Sequence, residues 1–164
     1  PIMQRTGEGG DINKYHFPRP LTGTSGKALS EENRFNFSFS GIKTSLLYFV
    51  RDQMAIDPEF MEKNKADICA SFQKALIDIL MDKLIKAVKQ TEIKQITIGG
   101  GVSANSGLRE RIYNEGVKRG WETFIPEFKF TTDNAAMIGC AAYYKYMAGE
   151  RDDLTLDAIP NLKL

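Results

Sequence analysis

The segment Ile96-Thr97-Ile98-Gly99-Gly100-Gly101-Val102-Ser103-Ala104-Asn105 concentrates residue types that suit nucleotide binding. Three glycines let a ligand approach the main chain closely, and free N–H groups at a following helix start attract phosphate or ribose oxygens. Asn105 adds an amide that can reach a sugar or a base. A plain strand-to-helix turn capped by Ser103 or Asn105 needs one glycine, and three exceed that need. Gly99, Gly101 and Ala104 also fit Gly-x-Gly-x-x-Ala, with Glu127 as a candidate ribose ligand. That dinucleotide pattern normally opens its domain, whereas a single strand follows here, so the match is weak.

Two other segments carry polar groups at a helix start. Phe37-Ser38-Phe39-Ser40-Gly41-Ile42-Lys43-Thr44 puts Ser40 and Lys43 where a phosphate could sit, although its periodicity favours an aromatic core strand with outward serines. Thr132-Asp133-Asn134-Ala135-Ala136-Met137-Ile138-Gly139 joins a capping cluster to a helix of small residues. Asp133 reads as a cap, and one carboxylate is not by itself a metal site. Arg109, Arg111, Lys118 and Arg119 read as a solvated basic face. His16 reads as a loop residue packed among aromatics, and a lone histidine excludes any metal site or triad needing two. Cys69 and Cys140 match no metal or redox spacing, which points to a reducing cytoplasm.

The elements that position these residues follow from pattern. Residues 1–34, rich in Gly, Pro, Ser and Thr, read as loops with a short helix at the start. Phe35 to Ser40 alternates aromatic and polar residues as a strand with buried phenylalanines, and Ile42 to Met54 has helical spacing. Asp57-Pro58-Glu59 signals a helix start, with a second start at Asn64. A long helix over 65–90 carries the stripe Ile68, Phe72, Leu76, Ile79, Leu80, Leu84 and Val88, with Lys83, Lys86 and Lys89 toward its negative end. A strand over 93–98 runs into the glycines. A helix over 105–119 with Leu108, Ile112 and Val117 inward, a strand over 121–125 and a helix over 135–147 complete the order. Small residues on the last helix suit close packing on a neighbour, and the polar tail carries a small apolar patch at Leu154, Leu156 and Ile159. Alternating strands and helices give α/β with some parallel sheet.

The chain has 164 residues, 22 Lys and Arg against 21 Asp and Glu, and 42% hydrophobic residues, which suits one folded domain and argues against disorder. A net charge of +1 removes a global electrostatic case for nucleic acid, though not a local patch. No apolar run reaches a membrane span of about 20 residues, and no signal peptide is visible. The start at Pro1 without Met implies either a processed start or a piece of something longer.

Four segments together, Phe17-Pro18-Arg19-Pro20, Phe37 to Thr44, Gly100 to Asn105 and Thr132 to Met137, closely resemble the C-terminal half of the TsaD family, in this order and spacing. Ala66-Asp67-Ile68-Cys69-Ala70-Ser71-Phe72-Gln73 resembles its long-helix signature. The family's older name is Gcp, the O-sialoglycoprotein endopeptidase. The resemblance implies an actin-like ATPase fold (ASKHA, ribonuclease H-like), with residues 1–164 forming a single C-terminal portion of a two-domain protein. It implies transfer of a threonylcarbamoyl group from threonylcarbamoyl-AMP to N6 of the adenosine next to the anticodon. It further implies tRNA, TsaB-like and TsaE-like partner proteins, and ATP or threonylcarbamoyl-AMP as nucleotide ligand.

By the same resemblance, Gly100, Gly101 and Asn105 contact the nucleotide. Asp133 becomes a ligand of one divalent metal ion, iron or zinc, which polarises the carbonyl. That reverses the capping reading of Asp133. The family's two metal-binding histidines lie in an H-x-x-x-H motif in its N-terminal half, and His16 does not match them. Gln4 falls where many members carry an Asp that contacts the substrate, and Pro1 looks like the proline after the family's Gly-Gly pair. One metal ligand and one wall of a nucleotide cleft imply no turnover by this chain alone. A metalloendopeptidase, a dinucleotide-binding module and a non-catalytic docking module remain open at this point.

Overall fold

The computed structural model of the chain describes residues 2–19, 34–155 and 157. Pro20, Leu156 and Ile159 lie outside the described residues. Helix α1 (Ile2–Thr6) is followed by a loop, then α2 (Phe39–Ile56), α3 (Phe60–Thr91), β1 (Gln95–Thr97), α4 (Ser106–Arg119), β2 (Glu122–Phe124) and α5 (Ala135–Met147). The two strands pair in parallel, Gln95 opposite Glu122 and Thr97 opposite Phe124. Parallel neighbours need a crossover, and α4 provides it, so residues 95–124 form a βαβ unit. Mixed helices with a small parallel sheet bear out the α/β reading.

Helix α3 is the spine. Its first half buries Ile68, Phe72, Ala75 and Ile79 against Phe17 of the loop and Ile42 of α2. Its second half buries Met81 and Val88 against Ile96 of β1 and Leu108 and Ile112 of α4. Phe17 sits edge-on to both Phe72 and Phe49, with ring centroids 5.3 and 5.4 Å apart. Polar residues of the same helix fasten the loop. Asp67 accepts from the Asp11 N–H at 2.8 Å and pairs with Lys14 at 2.6 Å. Ser71 donates to the Asp11 carbonyl and accepts from the Tyr15 N–H. Backbone meets backbone here: a Cβ on Gly10 would stand 2.4 Å from the Ala66 carbonyl oxygen.

Several expectations are corrected. Phe35 to Ser40 is not a strand. Ser38 accepts from the Gly41 N–H as the N-cap of α2, so helix begins at Phe39, and Phe37 and Phe39 stand exposed with no strand beside them among the described residues. Helix α3 runs unbroken through Asn64, whose amide donates back to the Phe60 carbonyl. Asp57 ends α2 and accepts from the Glu59 N–H, which leads into α3 without making Asp57 its cap. Lys83 does not serve the helix end. It is buried, donates to the Arg34 carbonyl at 2.7 Å, and burial holds its pKa below the ordinary lysine value. Val117 faces solvent, because Gly116 presses on Thr123 at that level of α4. No residue of α5 is buried, so its small residues pack against nothing among the described residues.

Candidate active site

Strand β1 ends at Thr97, and the glycines follow at its C-terminal edge, where ligands of parallel sheets bind. Gly100 has φ 77° and ψ 172°, a conformation essentially confined to glycine. A Cβ on Gly99, Gly100 or Gly101 would meet nothing within 4 Å, so packing does not explain the absence of side chains at Gly99 and Gly101. The N–H groups of Gly99 and Gly100 have no intramolecular acceptor among the described residues. The turn closes through a 3-10 segment, Gly101–Ala104, in which buried Ser103 donates from Oγ to the Gly100 carbonyl at 2.7 Å.

A cavity of about 560 Å³ opens at the ends of both strands, between Gly99, Gly100 and Gly101 on one wall and Pro126, Thr131, Thr132 and Asp133 on the other. Among the described residues, Asp133 is the one titratable side chain on its lining. The N-cap of α5 is Asn134, which accepts from the Met137 N–H at 3.0 Å. The capping reading of Asp133 is therefore overturned: its carboxylate is exposed and makes no hydrogen bond or ion pair among the described residues. An unshared carboxylate is a hard oxygen donor of the kind iron and zinc accept, so Asp133 fits a metal as one ligand. No three His, Cys, Asp or Glu side chains among the described residues cluster to hold one by themselves.

Asn105 belongs to the other side of the turn. Its Oδ1 accepts from the Leu108 N–H as the cap of α4, and its Nδ2 donates to Gln73 Oε1 at 3.2 Å. Gln4 reaches the same helix end, donating to Ser106 Oγ and accepting from the Ser106 N–H. The helix N-terminus expected to attract phosphate is thus largely occupied by side chains, and the bare N–H groups are those of the glycines. A second cavity of about 640 Å³ lies there, lined by Phe39, Phe72, Leu80 and Leu108 with Gln4, Lys43 and Asn105. Gly101 lines both cavities.

A family model described as tRNA N6-adenosine threonylcarbamoyltransferase, TsaD, matches residues 1–140. The chain belongs to that family. A relative of that name from Porphyromonas gingivalis (strain ATCC BAA-308 / W83) is 48% identical over 160 residues, covering 98% of this chain and 43% of the relative. Another from Christiangramia forsetii is 48% identical over 96% of this chain and 44% of the relative. One from Thermosipho africanus is 42% identical over 100% of this chain and 46% of the relative. The chain spans less than half the length of these curated relatives.

In this TsaD-family chain the structure brings Gly100, Gly101 and Asp133 to one cavity and sets Asn105 beside the adjoining one. Lys43 lines that second cavity, while Ser40 lines neither. Glu127, the ribose ligand of the dinucleotide reading, lines neither cavity and pairs with Lys129 at 2.8 Å. His16 is an exposed loop residue, and it is its neighbour Phe17 that packs among aromatics. Sequence reasoning missed Gln73 and the Gln4–Ser106 pair, because their partners lie 32 and 102 residues away. It also misplaced Arg109 on a solvated face: Nη1 donates to the Ser103 carbonyl at 3.0 Å, and Nη2 donates to the Pro126 carbonyl. Arg111 and Arg119 share Glu115, at 3.7 and 2.6 Å, which offsets their charge. No helix among the described residues is long and apolar enough to cross a membrane.

Proposed function

We propose that this chain supplies the nucleotide-facing wall and one metal ligand of a tRNA threonylcarbamoyltransferase. The reaction would move the threonylcarbamoyl group of threonylcarbamoyl-AMP to N6 of the adenosine next to the anticodon. The observation that carries this reading is the shared cavity, with bare glycine N–H groups facing one free carboxylate, in a chain of this family. In the transfer the adenine N6 bonds to the carbamoyl carbon and loses a proton. The bond from that carbon to the adenylate oxygen breaks, and AMP leaves with the electron pair.

Gly99 and Gly100 would donate their N–H groups to the adenylate phosphate, where negative charge grows as AMP departs. Asn105 retains one amide N–H after its bond to Gln73, and would present it to the ribose or base. The apolar cavity beyond Gly101 suits the flat face of an adenine. Asp133 would hold an iron or zinc ion together with ligands from outside this chain. That ion, when bound, supplies a Lewis acid at the carbonyl. On this reading the domain is a portion of an actin-like ATPase fold that works in the cytoplasm with TsaB-like and TsaE-like partners. Among the described residues, Asp133 is the one titratable group on the cavity lining, which gives the endopeptidase reading no support.

The test uses the whole transferase carrying this sequence, its partner proteins, labelled threonine and a tRNA that reads codons beginning with A. Label should enter the tRNA with the wild type and fall to background with Asp133→Ala. Undiminished transfer by that variant, or no transfer by the wild type, would sink the reading.

A further inference from the structure

We infer that Arg109 is the positioning residue that sets the gap between the two walls of the cavity. This rests on the transferase reading above, in which one wall holds the adenylate phosphate and the other the metal. Arg109 sits in the first turn of α4, so its main chain moves with the glycine turn, and its N–H donates to the Asn105 carbonyl at 3.1 Å. Its guanidinium then grips both walls. One arm holds the carbonyl of Ser103, the buried residue that closes the glycine turn. The other holds the carbonyl of Pro126, where the chain leaves β2 toward Asp133. The guanidinium also lies over the Phe128 ring at 4.4 Å from its centroid, in the same segment.

Beyond the last rung of the sheet, from Ile98 N–H to the Phe124 carbonyl at 3.4 Å, no other hydrogen bond joins these walls among the described residues. Among the described residues Arg109 makes no ion pair and does not line the cavity, so it acts through the main chain it holds. The task needs arginine: a planar fork donates in two directions and stacks on a ring, whereas a lysine ammonium is a point charge without that plane. The two walls carry the two halves of the reaction, and a misplacement of about 1 Å costs about 100-fold in such geometry.

The experiment compares wild type and Arg109→Lys in the whole transferase with its metal, by hydrogen exchange and by steady-state kinetics. Faster exchange is expected in residues 100–105 and 126–131 together, with α3 unchanged. The kcat should fall about 10- to 100-fold, with KM for threonylcarbamoyl-AMP and metal content held within about 3-fold. Wild-type exchange at both walls, faster exchange at one wall only, or an unchanged kcat would each overturn the assignment. If Arg109→Lys does not fold, Phe128→Leu keeps both hydrogen bonds, removes the stacked ring, and should give a weaker effect of the same kind. A wild type without transfer activity would sink the transferase reading alone, because the exchange measurement still decides whether Arg109 couples the walls.

Discussion

The glycine wall of the cavity stands on the core, whereas the Asp133 wall stands on a helix with no buried residue. Behind the glycines, Ser103 is buried, Asn105 is held by Gln73 of α3, and Ser106 is held by Gln4 of α1. Behind Asp133, α5 exposes Ile138, Tyr143, Tyr144 and Met147. One wall is therefore fixed by packing before any ligand arrives. The other takes its position from the short segment 125–134 and from the Arg109 guanidinium that holds the Pro126 carbonyl. This division suits the proposed site, in which the rigid main-chain surface would receive phosphate and the less supported carboxylate would be completed by a metal and further ligands.

The largest expected effect comes from removing the footing of the rigid wall. Phe72→Ala deletes a ring packed edge-on to Phe17 and lining the cavity beyond Gly101, and should cost about 3–5 kcal/mol in denaturant unfolding. A loss under about 1 kcal/mol would mean that this wall is not built on α3. Gly100→Ala comes next. Nothing crowds the added methyl, so the cost is conformational, about 1–3 kcal/mol, from φ 77°. The same variant should weaken adenylate binding, and intact affinity would show that the turn tolerates another shape.

A smaller, sharper comparison lies at the start of α5. Asn134 caps the helix and Asp133 does not, so Asn134→Ala should lose about 1 kcal/mol while Asp133→Ala stays within about 0.5 kcal/mol. Metal content should follow the opposite order, with Asp133→Ala losing the ion. Equal stability losses in the two variants would return Asp133 to a capping role.

Much of this arrangement was legible in the residues. The stripe on α3, the βαβ unit and the glycine turn all follow from patterns local in sequence. What escaped depended on partners distant in sequence or on neighbours of like type. Phe35 to Ser40 alternates as a strand does, yet Ser38 is an equally good helix cap, and among the described residues no second strand lies beside it to decide otherwise. Asp133 and Asn134 are both capping residues, and only geometry separates them. Arg109 lies among charged residues on a helix face, and nothing in that spacing reveals two carbonyls 6 and 17 residues away.

The least effect is expected from acid, and it should reach the rigid side first. Lys14, hydrogen-bonded to Asp67, holds that carboxyl below the usual carboxylate range, and the Asp11 N–H adds to the shift. Lys14 is raised in turn by the same contact. A depressed carboxyl contributes stability that is fully present above its unfolded pKa of about 3.8 and is lost as pH falls through the lower folded value. The stability difference between wild type and Asp67→Asn should therefore be widest near neutrality and close below about pH 3.8. The midpoint of thermal unfolding, followed from pH 7 to 2 for both proteins, measures this. The Lys14–Asp67 pair is partly exposed, so the difference should also shrink with salt. Because this tie holds the loop at 11–15 to α3, acid should speed hydrogen exchange there before it reaches residues 126–134. Simultaneous loosening of both sides would mean that the two walls share one foundation after all.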